Sequence, residues 1–270
     1  MTEFRGRHVL ITGGASGIGR AMAKRFAAQG GRVSIWDLNE ANLLATLEEL
    51  KTAGAETPHG FLCDVARREQ VYEAARTTVA VAGPVDVLVN NAGVVSGASL
   101  LELSDEKIER TFDVNTLSLF WVTRAFLPSM LERRTGHVVT IASASALVGV
   151  AKLSDYAASK WAAMGFDESL RAELHKTAPG VLTTVVCPFF IGTGMFRGVR
   201  TRFPRLLPIL DEAYVAERIV DAVKRGRRRL LLPPLVGMVP FLRILPVAVF
   251  DWIVTFLGVN ASMDDFKGRG

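Results

Sequence analysis

Tyr156 and Lys160 stand four residues apart at the start of a predicted helix, Asp155–Lys176. Residues i and i+4 share one helix face. An ammonium held beside a phenol favours the phenolate and lowers its pKa from about 10 toward the working range. Such a tyrosine serves as general base toward an alcohol or as general acid toward a carbonyl. Ser143 lies thirteen residues before Tyr156, just after a predicted strand, where its hydroxyl can hold a substrate oxygen as charge develops on it. Asn115, inside a long predicted helix, can hold a water that relays protons to Lys160. A tyrosine and a lysine at this spacing arise by chance in many proteins. All four residues in this order are far more specific than any one of them.

A second cluster precedes these. The first apolar run, His8–Thr12, leads into Gly13-Gly14-Ala15-Ser16-Gly17-Ile18-Gly19 and then into a helical pattern, Gly17–Gln29. Glycines between a strand and a helix let backbone approach a phosphate closely, and the free N–H groups of the helix N-terminus favour an anion there. Gly13, Ser16, Gly17, Ile18 and Gly19 are therefore candidates to hold a dinucleotide pyrophosphate. Asp37 ends the second strand-like run about 18 residues beyond Gly19, near the spacing of a ribose-binding acid. Its carboxylate can accept hydrogen bonds from both ribose hydroxyls and would repel a 2′-phosphate, which favours NAD over NADP. The competing reading makes Asp37 a helix N-cap before Leu38-Asn39. Arg20 and Arg32 soften the preference for NAD if they reach the same pocket.

The elements that must position these residues alternate. Strand-like runs at His8–Thr12, Arg32–Trp36, Gly60–Cys63, Val85–Val89, His137–Ile141, Val181–Cys187 and Arg229–Leu232 are separated by helical patterns. The helical patterns are Gly17–Gln29, Glu40–Ala53, Glu69–Ala82, Asp105–Leu131, Asp155–Lys176 and Glu212–Lys224, with Pro128 expected to kink or end the fourth. Strict alternation with continuous apolar strands predicts an α/β, Rossmann-type doubly wound parallel sheet of about seven strands, with helices on both faces. Residues 1–270 read as one domain, since neither repeat nor linker interrupts them. A 49% apolar composition allows a sizeable core, and a net charge of +5 spread along the chain does not make the basic face that nucleic acid needs. Cys63 and Cys187 each sit in an apolar run and read as core thiols, which fits a reducing, cytoplasmic setting. His8, His59, His137 and His175 form no ligand-spaced pair, so no metal is expected. The residues before His8 are short and polar and do not read as a signal peptide, and no window reaches the roughly 18 apolar residues of a membrane span. A Gly-x-Ser-x-Gly elbow is missing, which removes one large hydrolase class.

Taken together, Thr12–Gly19, Asp64-Val65, Asn90-Asn91-Ala92-Gly93, Asn115, Ser143, Tyr156, Lys160 and Pro188–Thr193 resemble the classical short-chain dehydrogenase/reductases. The likeness covers nearly the whole chain. It implies that Asp64 and Val65 contact adenine, that Asn91 lines the cofactor cleft and that Pro188, Ile191 and Thr193 border the nicotinamide. Lys160 would also bind the nicotinamide ribose. Phe189 departs from the pattern, standing where the family usually has glycine. The resemblance further implies a homodimer or homotetramer built on the helices starting near Asp105 and Tyr156.

Residues 194–212 fall where this family carries its substrate lid, and mix Met195, Phe196 and Phe203 with Arg197, Arg200, Arg202 and Arg205. Arg225, Arg227, Arg228 and Arg229 follow, and then an apolar extension, 230–270, broken by Pro233, Pro234, Pro240 and Pro246. One reading packs this extension on the domain or a second subunit. The other lays a basic, apolar edge on a membrane surface as a peripheral contact. The tail, Phe256 to Arg269, together with Pro188–Met195, resembles the retinol and 17β-hydroxysteroid dehydrogenase branch, whose members act on membrane lipids; that branch's N-terminal hydrophobic anchor has no counterpart before His8. The leading expectation is NAD-linked turnover of a small lipophilic alcohol or ketone. An NADPH-dependent 3-oxoacyl-thioester reductase and a non-catalytic cofactor-binding or lipid-surface protein are the alternatives.

Overall fold

The computed structural model describes residues 3–54 and 57–268; Arg269, the last residue of the tail motif, lies outside them, as do the ends of the 1–270 and 230–270 ranges. Seven strands form one all-parallel sheet: β1 (His8–Thr12), β2 (Arg32–Asp37), β3 (His59–Leu62), β4 (Val87–Asn90), β5 (Gly136–Ile141), β6 (Val181–Pro188) and β7 (Arg229–Leu232). Their order is β3-β2-β1-β4-β5-β6-β7. The chain winds outward from β1 in one direction and restarts at β4 in the other. A crevice therefore opens between the C-terminal ends of β1 and β4, the switch point at which such sheets bind ligands.

Strand alternation explains why the strands read as unbroken apolar runs. Val9 and Ile11 of β1 face a core shared with α1 (Gly17–Ala28), α2 (Glu40–Thr52) and α7 (Glu212–Lys224). Leu10 faces a second core shared with α3 (Arg68–Ala82), α5 (Ser118–Glu132) and α6 (Ser154–Thr177). Both faces are covered, so both sets of side chains leave water, at about 25 cal/mol per Å² of apolar surface buried. Cys63, just past β3, and Cys187, in β6, are buried free thiols.

The stretch Asp105–Leu131 is helical throughout, with one irregularity: α4 (Asp105–Phe112) passes into a π-helical segment, Asp113–Leu117, and then into α5. Apolar periodicity over a long window cannot register one extra residue in a turn. Pro128 does not end α5, which continues to Glu132. The ring removes one ladder hydrogen bond near the helix end, while buried Phe126 and Met130 on either side hold the turn against the sheet. Beyond β7, the short helices α8 (Val239–Leu242) and α9 (Val247–Phe256) lie at the surface.

The core also holds a histidine. His137 of β5 is 2% exposed and its Nε2 lies 2.7 Å from Thr184 Oγ1. Burial pulls its pKa down to about 4, and burial lowers His8 as well. A depressed folded-state pKa means that the unfolded chain binds protons first as the pH falls below about 6.5. Stability contributed by a neutral His137 is thus present above pH 6.5 and lost toward pH 4, up to about 3 kcal/mol in all. Urea unfolding of the wild type is expected to show that slope, and His137→Gln to remove most of it; an unchanged slope in the variant contradicts the assignment.

Candidate active site

The glycine-rich loop owes its shape to positions that reject side chains. Gly13 and Gly17 take φ of +62° and +52°, the left-handed region that favours glycine. A Cβ on Gly19 would fall 2.1 Å from the Gly13 carbonyl oxygen and 2.6 Å from Asn91 Nδ2, so any other residue would push α1 off the loop. Asn91 joins the two strand ends at the switch point, its Nδ2 donating to the Thr12 and Gly13 carbonyls. Thr12 completes the joint: its Oγ1 accepts from the Asn91 and Ala92 N–H groups. Gly13, Ser16, Gly17, Ile18 and Gly19 all line one large cavity, at the N-terminus of α1. This glycine-lined cradle at a helix N-terminus fits a pyrophosphate.

Asp37 lines the same cavity from the end of β2. Its Oδ2 accepts from Ala15 N–H and its Oδ1 from Asn39 N–H, each at 3.0 Å. It does not cap α2; Asn39 does, accepting from the Asn42 N–H. Neither arginine considered beside it reaches the cavity: Arg20 pairs with Glu49, and Arg32 donates to the Gly6 and Ala82 carbonyls. Asp64 and Val65 also line the wall, with both Asp64 oxygens held by Arg110 Nη1 at 3.0 and 3.2 Å. Arg110 is a cavity residue that the sequence did not single out, because its partner is 46 positions away.

At the centre of the cavity, Ser143 follows β5, Tyr156 and Lys160 rise from the first turns of α6, and all three are at least 90% buried. Ser143 Oγ donates to Ser145 Oγ at 3.3 Å and accepts from the Ser145 N–H at 3.1 Å. Lys160 Nζ donates to the Ile141 carbonyl at 2.9 Å and lies 5.6 Å from the centre of the Tyr156 ring. Asn115 comes from the π-helical segment. Its Oδ1 accepts from Val94 N–H, and its Nδ2 donates to the Val94 carbonyl and Ser159 Oγ. Its amide is thus spent on pinning the loop after β4. That loop runs beside Lys160, since a Cβ on Gly93 would lie 3.3 Å from Asn115 Oδ1 and 3.6 Å from Lys160 Nζ. The side chain therefore positions that loop beside Lys160.

The electrostatics reverse one expectation. Burial pushes the Tyr156 phenol up to about 12, with the nearby Ser143 hydroxyl opposing it in part. The same burial pulls Lys160 down to about 8. Desolvation disfavours the charged form of each group and is the leading cause of both shifts. The phenol is held as a proton donor.

Pro188, Ile191 and Thr193 line the other end of the cavity, where Ile191 forms a bridge with Leu210. Phe189, in the position expected to be glycine, begins an aromatic chain. Phe189 packs on Phe190 with centroids 4.8 Å apart, Phe190 on Phe196 at 5.1 Å, and Phe196 edge-on to Tyr156 at 5.7 Å. Val148, Val150 and Val259 close this apolar half. Its far wall is built from segments whose role no local spacing announces.

Residues 7–203 match the family model described as short chain dehydrogenase. Epidermal retinol dehydrogenase 2 of Mus musculus is 43% identical to this chain, over 98% of it and 86% of that protein. Short-chain dehydrogenase/reductase 3 of Homo sapiens is 44% identical, over 100% of this chain and 89% of that protein. A solved short chain dehydrogenase/reductase from Burkholderia phymatum, in complex with NAD, superposes with a TM-score of 0.81 at 30% identity, covering 90% of this chain and 95% of that one. Glycine cradle, switch-point crevice and buried Tyr156–Lys160 pair sit within that shared frame, and the chain belongs to the short-chain dehydrogenase/reductase family as an NAD(P)-dependent oxidoreductase.

Proposed function

We propose that this enzyme moves a hydride between NAD(H) and a lipophilic alcohol or carbonyl of retinoid, steroid or long-chain type, with Tyr156 exchanging the proton. One observation carries the reading: Tyr156 and Ser143 sit where the glycine-lined half of the cavity meets a half walled by Phe189, Phe190, Phe196, Val148, Val150 and Val259. An uncharged, aromatic-rich wall gains from covering apolar substrate surface and offers nothing to a charged one. The retinol dehydrogenases among its relatives support the same class.

In this reading Gly13, Ser16, Gly17, Ile18 and Gly19 hold the pyrophosphate, Asp37 the adenosine ribose, and Asp64 and Val65 the adenine. Asn91, Pro188, Ile191 and Thr193 border the nicotinamide, and Lys160 binds its ribose. The bound dinucleotide supplies the hydride donor or acceptor and, when oxidised, a positive charge. Ser143 and Tyr156 hold the substrate oxygen with their hydroxyls. In the reducing direction Tyr156, protonated up to a pH of about 12, gives its proton to that oxygen as negative charge develops on it. In the oxidising direction the phenol must first lose its proton to solvent; Lys160 stabilises the resulting phenolate, which takes the alcohol's proton while its hydride passes to the dinucleotide. Asn115 fixes the Val94 backbone beside Lys160 and so keeps the ammonium in place.

Asp37 supports NAD over NADP, since among the described residues no cation pairs with it to accept a 2′-phosphate. The lid arginines count against the acyl-thioester alternative. None of Arg197, Arg200, Arg202 and Arg205 lines the cavity, and Arg202 is spent on the Phe256 carbonyl and the rings of Phe203 and Phe256. With retinol as substrate, Tyr156→Phe is expected to lower kcat by about 10²- to 10⁴-fold with the Kd for NADH unchanged. Asp37→Ala is expected to narrow the preference for NAD about tenfold, the equivalent of ~1.4 kcal/mol. Wild-type turnover in Tyr156→Phe, or a wild type that prefers NADP, overturns the corresponding part.

The same reading includes a peripheral lipid contact. Phe241, Ile244, Val247 and Trp252, on and between α8 and α9, are each at least 66% exposed. Cations border them: Arg202 lies over the Phe256 ring at the end of α9, and Arg243 over the Phe250 ring within it. Among the described residues no helix is long and apolar enough to cross a membrane, so the contact is lateral, with apolar side chains in the acyl boundary and arginines at anionic headgroups. Flotation with phosphatidylserine-containing vesicles is expected to carry the protein, and Trp252→Glu with Phe241→Glu to abolish that. Equal flotation of wild type and double variant contradicts it.

A further inference from the structure

The chain between Ile191 and Leu210 has no helix or strand of its own beyond the bridge at its two ends. It carries Met195 and Phe196 into the cavity wall. A segment this long with few local hydrogen bonds takes its position from what it packs against. Here it packs against the C-terminal tail. Lys267 N–H donates to the Arg197 carbonyl at 2.8 Å and Arg200 N–H to the Ser262 carbonyl at 3.2 Å, a two-point backbone clip. Gly198, with φ of +93°, lets the tail approach so closely that a Cβ there would fall 2.0 Å from the Asp265 carbonyl oxygen. Arg200 and Asp265 add an exposed ion pair, as do Lys152 and Asp264.

Tail side chains then reach inward. Met263 is 1% exposed and packs in one cluster with Leu153, Tyr156, Phe190 and Val199; Phe196 and Phe266 lie against that cluster. The Phe266 ring also covers the α-carbon of Gly97, where an added Cβ would fall 2.0 Å from the ring. Gly97 sits in the loop after β4, and its φ of +68° suits glycine. Three stretches distant in sequence, after β4, after β6 and at the C-terminus, are thus stitched together behind Phe190 and Phe196. Neither Met263 nor Phe266 lines the cavity.

We propose that residues 262–267 are a strap that sets the position of the Phe190–Phe196 wall, with Phe266 as a positioning residue for substrate size. This deepens the proposed function and rests on it. A long apolar alcohol touches the wall and gains from its being fixed; a small alcohol reacts at Tyr156 without reaching it. Removing the Phe266 ring leaves the wall to be ordered at the expense of the substrate's binding energy, so the loss falls on KM for long substrates.

The test measures kcat/KM for all-trans-retinol and for cyclohexanol, with NADH affinity and thermal midpoint alongside. In Phe266→Ala the retinol-to-cyclohexanol ratio is expected to fall about tenfold, through KM, with NADH Kd moved less than twofold; Phe266→Leu is expected to restore most of it. Arg200→Ala, which removes the exposed ion pair to Asp265, is expected to shift the ratio the same way by a smaller factor. An unchanged ratio in both variants, or equal losses on both alcohols with a fallen midpoint and weakened NADH binding, overturns the strap. A wild type that turns over neither alcohol overturns the proposed function instead.

Discussion

Taking a phenol and an ammonium out of water within one helical turn of each other leaves both inclined toward their neutral forms. Tyr156 rises to about 12 and Lys160 falls to about 8 because each loses hydration that the protein replaces only in part. For the ammonium the replacement is the Ile141 carbonyl, and for the phenol the nearby Ser143 hydroxyl opposes the rise in part. A phenol held neutral is ready to give a proton to a carbonyl being reduced. To run the other way at neutral pH it must become far more acidic. In a buried site a single added positive charge is worth several kcal/mol, far more than at a surface. The direction of proton transfer is thereby tied to the charge beside the phenol.

The fold serves that constraint in layers. Reversal of strand order at β1 and β4 opens the crevice, and Asn91 and Thr12 bond its two sides together. The π-helical segment delivers Asn115 under the loop after β4, whose backbone runs past Lys160. The end of β5 supplies the Ile141 carbonyl that holds the ammonium, and Ser143 stands two residues further on, just past the strand. Behind them the aromatic chain from Phe189 to Phe196 excludes water, which strengthens every interaction inside.

Much of this is written locally in the chain. The alternation of elements is legible because a strand buried on both faces must be continuously apolar. The cradle is legible because glycines at a strand–helix junction serve few other purposes. Ser143, Tyr156 and Lys160 are legible as an ordered set at a strand end and on one helix face. What escaped depends on contacts between distant positions: Arg110 on Asp64, Phe266 on Gly97, and Arg20 and Arg32 turned to other partners. The π-helical turn escaped because one added residue barely disturbs an apolar period. The sign of the Tyr156 shift escaped because spacing reports how near the lysine is, while the depth of burial that leads the shift is a property of the folded whole.

The chain has three tyrosines, Tyr72, Tyr156 and Tyr214, so protein carrying ζ-¹³C tyrosine gives few ring signals, and the one lost in Tyr156→Phe identifies the active-site phenol. The decisive measurement is the pH titration of that signal in the wild type and in Lys160→Met, each with and without saturating NAD⁺. In the wild type it is expected to ionise roughly two pH units or more lower when NAD⁺ is bound, with most of that drop gone in Lys160→Met. A phenol that ionises at the same pH in all four samples contradicts the coupling of buried charge to proton transfer.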